Sequence, residues 1–273
     1  MRLDGRPYTV LGLRPGTAAG FATNHYHQTW HILSDRHGAQ VLARLLWGLS
    51  YERHPGTLIV VDRPFLDPTP FEGEASDPIV LVPRDLTPLG ERAARALRRA
   101  LPLGSPPDGT VRWRTTGLDR ALADPDGWRE AVRGEHRRGG DFRSLVTRRG
   151  GLIVVSAAPW ELRAWAVESA RLGERGPYES DHMFLGDGCF APGEVQTFRR
   201  YRAMVSSAVV ARREVLAEDT SGRPPQAVHE RIWRRSAAVR RRTAPAPGAR
   251  GRGRRTGVGQ PARRYLVDGT PEG

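Results

Sequence analysis

The chain contains no lysine, and all 43 of its basic residues are arginine. That absence removes chemistry rather than charge. Without a lysine amine there is no Schiff-base catalysis, no P-loop lysine on a nucleotide phosphate and no strand lysine of a protein kinase. Cysteine is almost missing as well. A single thiol, Cys189, rules out an intramolecular disulfide and is the usage expected in a reducing cytosol. No apolar run approaches the ~18 residues that a membrane span needs. The opening stretch MRLDGRPYTV has an early acid and no apolar run after its arginines, unlike a secretory leader. These absences lead to the expectation of a soluble, cytoplasmic protein with no membrane span.

Apolar residues make up only 38% of 273, with 22 prolines and 31 glycines. That is lean for a chain packed throughout, so an ordered body and a poorly ordered segment are expected. The charge supports the division. Of a net +13, residues 220–273 hold +10, from 13 arginines against Glu230, Asp268 and Glu272. The rest of the chain is left with +3 and is electrostatically ordinary.

The body is organised around Ser34 to Asp62. From Ala39 to Tyr51 nearly every position is apolar, which marks a helix buried on most sides, with Ser34 or Asp35 as its N-cap. Pro55-Gly56 breaks it, and Leu58 to Val61 is a short β-branched run expected as a strand covered on both faces. Ile79 to Val82 and Gly151 to Val155 read the same way. Leu58–Val61 and Leu152–Val155 are expected as interior strands of one sheet.

Tyr8 to Leu13 is a further strand candidate, and the glycine-bearing RPGTAAG after it reads as a plain loop. Residues 63–78, rich in proline and acid, read as an irregular surface excursion. Thr87-Pro88 looks like the cap and first residue of a helix running to Leu101. Thr110 to Thr115 alternates as an edge strand does. Leu118 to Arg137 reads as short helices broken near Pro125. Pro159 opens another helix that ends at Gly173. Glu174 to Gly193 reads as a loop, and Glu194 to Glu218 as one long helix, because Val195, Phe198, Tyr201, Val205 and Val209 fall at three- and four-residue steps.

Strands alternating with helices argue for an α/β fold: a single three-layer-like domain over 1–218 with a mainly parallel sheet of about four or five strands. Residues 219–273 form a basic extension. Helix 225–242 is expected within it, with Val228, Ile232 and Val239 on one side. The Pro/Gly/Arg-rich remainder has nothing to bury and is expected to be disordered.

His25, His27 and His31 form H-x-H-x3-H. Imidazole is a good zinc ligand, and a catalytic zinc site needs three protein ligands with an open position. The three are therefore metal-ligand candidates, and a divalent metal is the cofactor they would bind. Asp62 ends a strand, where open α/β sheets place their ligands. It is a candidate base or metal carboxylate, though an Asp before Arg63-Pro64 also suits a turn. Ser156 ends another strand but lacks the flanking glycines of a nucleophile elbow. His182 lies seven residues before Cys189 and is a candidate base. Leu86-Thr87-Pro88-Leu89-Gly90-Glu91-Arg92 resembles the passage from wing to final helix in winged-helix regulators. That resemblance would make the Ala39–Tyr51 helix the recognition helix, and it is too apolar to sit in a major groove.

Two functions follow as expectations. In the first, an α/β binding or regulatory protein adheres to nucleic acid or other polyanions through its tail, with Arg234, Arg235, Arg240, Arg241, Arg242, Arg254 and Arg255 on the phosphates. In the alternative, a metal-assisted hydrolase has its site at strand ends near His25, His27 and Asp62.

Overall fold

The computed structural model describes residues 1–104, 107–138, 145–174, 180–186, 191–218 and 222–243, with backbone only over 133–138 and at 243. The compact unit is Met1–Arg242. Cys189, Arg254, Arg255 and the stretch expected to be disordered lie outside the described residues.

The apolar runs form the centre of a five-stranded sheet. Its strands are β3 (Thr9–Gly12), β6 (Thr57–Val61), β7 (Ile79–Pro83), β9 (Leu152–Ala157) and β8 (Leu145–Arg149), in that spatial order. A short ribbon, β1 (Arg2–Leu3) and β2 (Arg6–Pro7), precedes it. The strands expected to be interior, β6 and β9, are interior strands of this one sheet. Alternate side chains explain why their sequences are continuously apolar. Ile59, Val61, Ile79, Leu81, Ile153 and Val155 enter one core. Leu58, Val60, Val80, Val82, Leu152 and Val154 enter another on the opposite face, beneath α2 (Glu91–Ala100).

A second sheet of four strands was not expected. It runs β10 (Ser180–Leu185), β11 (Gly193–Phe198), β5 (Thr29–Ser34), β4 (Phe21–Tyr26). Both sheets are mixed, which corrects the single, mainly parallel sheet. In the larger one, β3–β6 and β7–β9 are parallel while β6–β7 and β8–β9 are antiparallel. In the smaller one only β11–β5 is parallel. The reason is the connections: β6 returns to β7, β8 to β9 and β4 to β5 without a crossover helix, and such neighbours pair antiparallel.

Helices α1 (Arg36–Leu49) and α5 (Pro159–Ala170) lie against both sheets, so α1 is apolar nearly all round. Asp35 caps α1, accepting from the Gly38 N–H at 2.8 Å. Glu161 reaches back to the Ala158 N–H at 2.7 Å and closes the first turn of α5. Ser169 on α5 donates to the Ala39 carbonyl on α1 at 3.0 Å. Buried in this way, α1 is not a recognition helix. Helices α3 (Thr116–Ala123) and α4 (Pro125–Arg138) follow the stretch that alternates as an edge strand. That stretch is not a strand. Trp113 turns in against α1, where a Cβ on Gly48 would stand 2.3 Å from its ring.

Other expectations shift similarly. Thr87 is not a helix cap: its hydroxyl donates to the Thr57 carbonyl at 2.7 Å, and α2 begins at Glu91 after Gly90. The helix expected from Glu194 begins only at Tyr201, as α6 (Tyr201–Ala217), because Gly193–Phe198 is β11. The loop expected over Glu174 to Gly193 contains β10. The excursion after β6 is not purely superficial. Phe65 is buried, Phe71 stacks edge-on against Phe198 at 5.6 Å, and Ser76 accepts from the Thr23 N–H at 3.0 Å.

Helix α6 covers the outer face of the smaller sheet through Tyr201 and Val205 on Ala22, Leu33 and Phe198. The last described helix, α7 (Pro225–Thr243), packs Ile232 and Val239 on Ala211 and Val215 of α6. The compact unit therefore includes α7, which composition alone groups with the tail. Among the described residues no helix is long and apolar enough to cross a membrane.

Candidate functional site

The histidine-rich stretch is a hairpin. Strands β4 and β5 pair Asn24 with His31, His25 with Trp30 and Tyr26 with Thr29, leaving His27 and Gln28 as the turn. Both turn residues have positive φ, 48° and 64°. A two-residue hairpin turn demands that conformation, and Asn-Gly is the pair that adopts it most easily. Directly paired residues share a face, so His25 and Trp30 lie on the inner face with Ile32, while Asn24 and His31 lie on the outer face with Leu33. His27, at the tip, stacks on Tyr26 at 3.9 Å. His25 lies tilted against Trp30, with ring centroids 4.4 Å apart. The three histidines are thus sent to two faces and a tip. Among the described residues no group of three or more His, Cys, Asp or Glu is placed to hold a metal ion.

What does gather is a polar row on the outer face of the smaller sheet. Phe184, Glu194, His31 and Asn24 stand opposite one another across β10, β11, β5 and β4. His31 Nε2 lies 3.6 Å from Glu194 Oε2, with both side chains buried. Gln196 donates to Glu194 Oε1 at 2.7 Å. Burial by itself would raise the Glu194 pKa, but His31, Gln196 and the more distant His182 together hold it below the ordinary carboxylate value. His182 is exposed, paired across the sheet with Gln196, and packs edge-on against Phe184 at 5.5 Å. Asn24 Oδ1 and His31 Nδ1 are buried without a hydrogen-bond partner. Sequence reasoning missed Glu194 because it placed that residue in a helix. The missed signal is the alternation of Glu194, Gln196 and Phe198 with Val195 and Thr197.

Asp62 sits elsewhere. It follows β6, and Phe65 just after it hydrogen-bonds Phe21 at the start of β4. The hairpin tip is at the far end of β4, a strand roughly 17 Å long at ~3.3 Å per residue. Asp62 is 7% exposed, and its Oδ2 has no hydrogen-bond partner. Burial pushes its pKa up, against the lowering effect of the Leu103 and Asp62 N–H groups. Asp67 likewise is raised by burial, beside Tyr201 and Arg202. The Tyr201 hydroxyl lies next to it, and its own pKa is raised by burial and then by the Asp67 carboxylate. These groups lock the loop, α1 and α6 together. Arg202 reaches Asp35 at 3.8 Å and the Ala18 carbonyl at 2.9 Å.

The arginines of α7 divide into two sets. One set faces α6. Arg235 pairs with Glu214 at 3.0 Å and Glu218 at 2.7 Å, Arg231 pairs with Glu218, and Arg242 pairs with Glu214 at 3.1 Å. Arg240 donates to the hydroxyls of Ser207 and Ser236 at 3.3 and 2.8 Å. The pairing with Arg235 and Arg242 keeps Glu214 below its ordinary pKa. The other set faces out. Arg234 is exposed and touches only Glu230, at 3.7 Å, and Arg241 is exposed without an ion pair among the described residues. Between α6 and α7 lies an open groove of about 270 Å³ lined by Val215, Arg231, Arg234, Arg235 and Ala238. No protein-family model, curated protein or solved structure matches the chain.

Proposed function

We propose that the protein binds polyanions, nucleic acid foremost, through the outward face of α7 and the arginine-rich segment that follows it, without reading base sequence. The observation supporting this is the division of the α7 arginines. Glu214 and Glu218 pair with Arg231, Arg235 and Arg242, so those guanidiniums fasten α7 to α6. Arg234 and Arg241 are not needed for that fastening and project outward about two turns apart. Arg250, Arg252, Arg254 and Arg255 extend the same charge along the chain. An exposed guanidinium suits phosphate because its planar fork can donate to two oxygens at once.

This reading narrows the residues engaged. Arg234, Arg241, Arg254 and Arg255 are the phosphate contacts, while Arg235, Arg240 and Arg242 serve the fold. The hydrolase alternative draws no support from geometry, since Asp62 and the hairpin histidines belong to opposite ends of β4. Binding of full-length protein to duplex DNA over a series of salt concentrations tests the proposal. Each phosphate engaged contributes about −0.9 to the log–log slope. The double variant Arg234→Gln/Arg241→Gln should make the slope shallower by up to about 2 while the melting temperature stays unchanged. No binding at ~50 mM salt, or an unaltered slope in the variant, would refute it.

A further inference from the structure

Polyanion binding leaves the form of nucleic acid open, and one residue on the same helix face bears on it. Trp233 is 58% exposed. It takes no part in docking α7, which goes through Ile232, Ser236 and Val239, about 60–120° round the helix from it. Among the described residues no ring stacks on the indole and no guanidinium covers it. At 3.6 residues per turn, Trp233, Ala237 and Arg241 follow one ridge at four-residue steps, and Arg234 lies about 100° round the helix from Trp233. The result is a bare indole on the same outward half of the helix as two guanidiniums that have no strong partner of their own.

An indole offers a flat π-face, and the flat faces of nucleobases are its natural complement. In a duplex those faces are stacked on one another and out of reach. In a single strand each base can leave its neighbour and lie on an aromatic side chain, while flanking arginines take the adjoining phosphates. We infer that Trp233 is a base-stacking platform and that the ligand of this face is single-stranded nucleic acid. The inference rests on the polyanion reading of α7 and adds the ligand class to it. Stacking tolerates any base, so the preference is for strandedness and not for sequence.

The test uses full-length protein with three probes at one salt concentration: oligothymidylate, a duplex of equal length, and heparin, which carries charge without bases. Oligothymidylate should bind more tightly than the duplex. Trp233→Ala should weaken oligothymidylate binding about tenfold, the scale of one lost base–aromatic stack, and leave heparin binding unchanged. Trp233→Phe should recover most of the loss, because a smaller ring still stacks. The site is exposed and outside the α6–α7 contact, so the melting temperature of Trp233→Ala should match the parent. If Trp233→Ala leaves oligothymidylate binding intact, or weakens heparin equally, the platform is refuted and polyanion binding stands. If the parent binds none of the three probes, polyanion binding itself fails.

Discussion

Asp62 and Glu194 are both buried acids, and their surroundings push them in opposite directions. Glu194 has His31 and Gln196 to receive its charge, so its pKa is lowered. Its contribution to stability is present above the unfolded carboxylate value and is lost as pH falls through the folded one. Asp62 is desolvated by burial, with one oxygen lacking a hydrogen-bond partner, so its pKa is raised. Its contribution is complete below the unfolded value, about 3.9, and is lost as pH rises through the folded value. At neutral pH the Asp62 carboxyl is therefore a cost to the fold. Asparagine keeps the shape without the charge. Asp62→Asn should melt at a higher temperature than the parent at pH 7, within the ~0.5–3 kcal/mol span of single substitutions. The advantage should shrink as pH approaches about 4. Thermal melts across that range check it. A lower melting temperature for the variant at pH 7 would mean that the anion is held by a partner, as a site for a cation or substrate would require.

At the scale of elements, what the sequence made legible follows from how many faces each strand buries. β6, β7 and β9 are covered on both faces, so they read as unbroken apolar runs with no competing interpretation. The smaller sheet has a mixed outer face carrying Asn24, His31, Glu194 and Gln196, so its strands read only as faint alternation. β11 was further disguised. Val195 and Phe198 are three apart, a helical step, yet they point into different cores. Conversely, Val111 and Trp113 alternate convincingly, but the structure gives that stretch no strand partner. The histidine motif was legible as a cluster and misleading as a site, because hairpin pairing separates residues that are adjacent in sequence. Its turn yields a prediction. A residue other than glycine in the left-handed region costs roughly 1–2 kcal/mol, and His27-Gln28 places two in succession. Replacing the pair by Asn-Gly should relieve most of that strain and raise the melting temperature of the whole compact unit. Calorimetry on the double variant is the measurement. A fall would show that the Tyr26–His27 stack contributes more than the strain costs.

For the whole molecule, charge and packing draw different boundaries. Composition changes at residue 219, and residues 220–273 hold +10 of the net +13. Packing changes later, since Ile232 and Ser236 of α7 are fully buried and Val239 is 5% exposed. A boundary set by packing leaves Arg250 to Arg264 beyond it with six arginines against Asp268 and Glu272, a net of +4, and +9 within residues 1–243. The two boundaries give opposite expectations for truncation. Stopping after Thr243 removes charge but none of the apolar contacts between α6 and α7. The shortened protein should melt at the parent temperature and keep the part of its polyanion affinity that belongs to Arg234 and Arg241, with a shallower salt dependence. Stopping at residue 219 strips Ala211 and Val215 of Ile232 and Val239 and leaves Glu214 and Glu218 without their arginines. Each fully buried aliphatic side chain is worth about 1.5–3 kcal/mol, so losing two removes roughly 3–6 kcal/mol. Against a typical ~5–15 kcal/mol that is severe. The shorter protein should be strongly destabilised or aggregate through the uncovered face of α6. Urea melts of the two truncations decide the matter: equal stability would show that α7 belongs to the tail and only rests on the body.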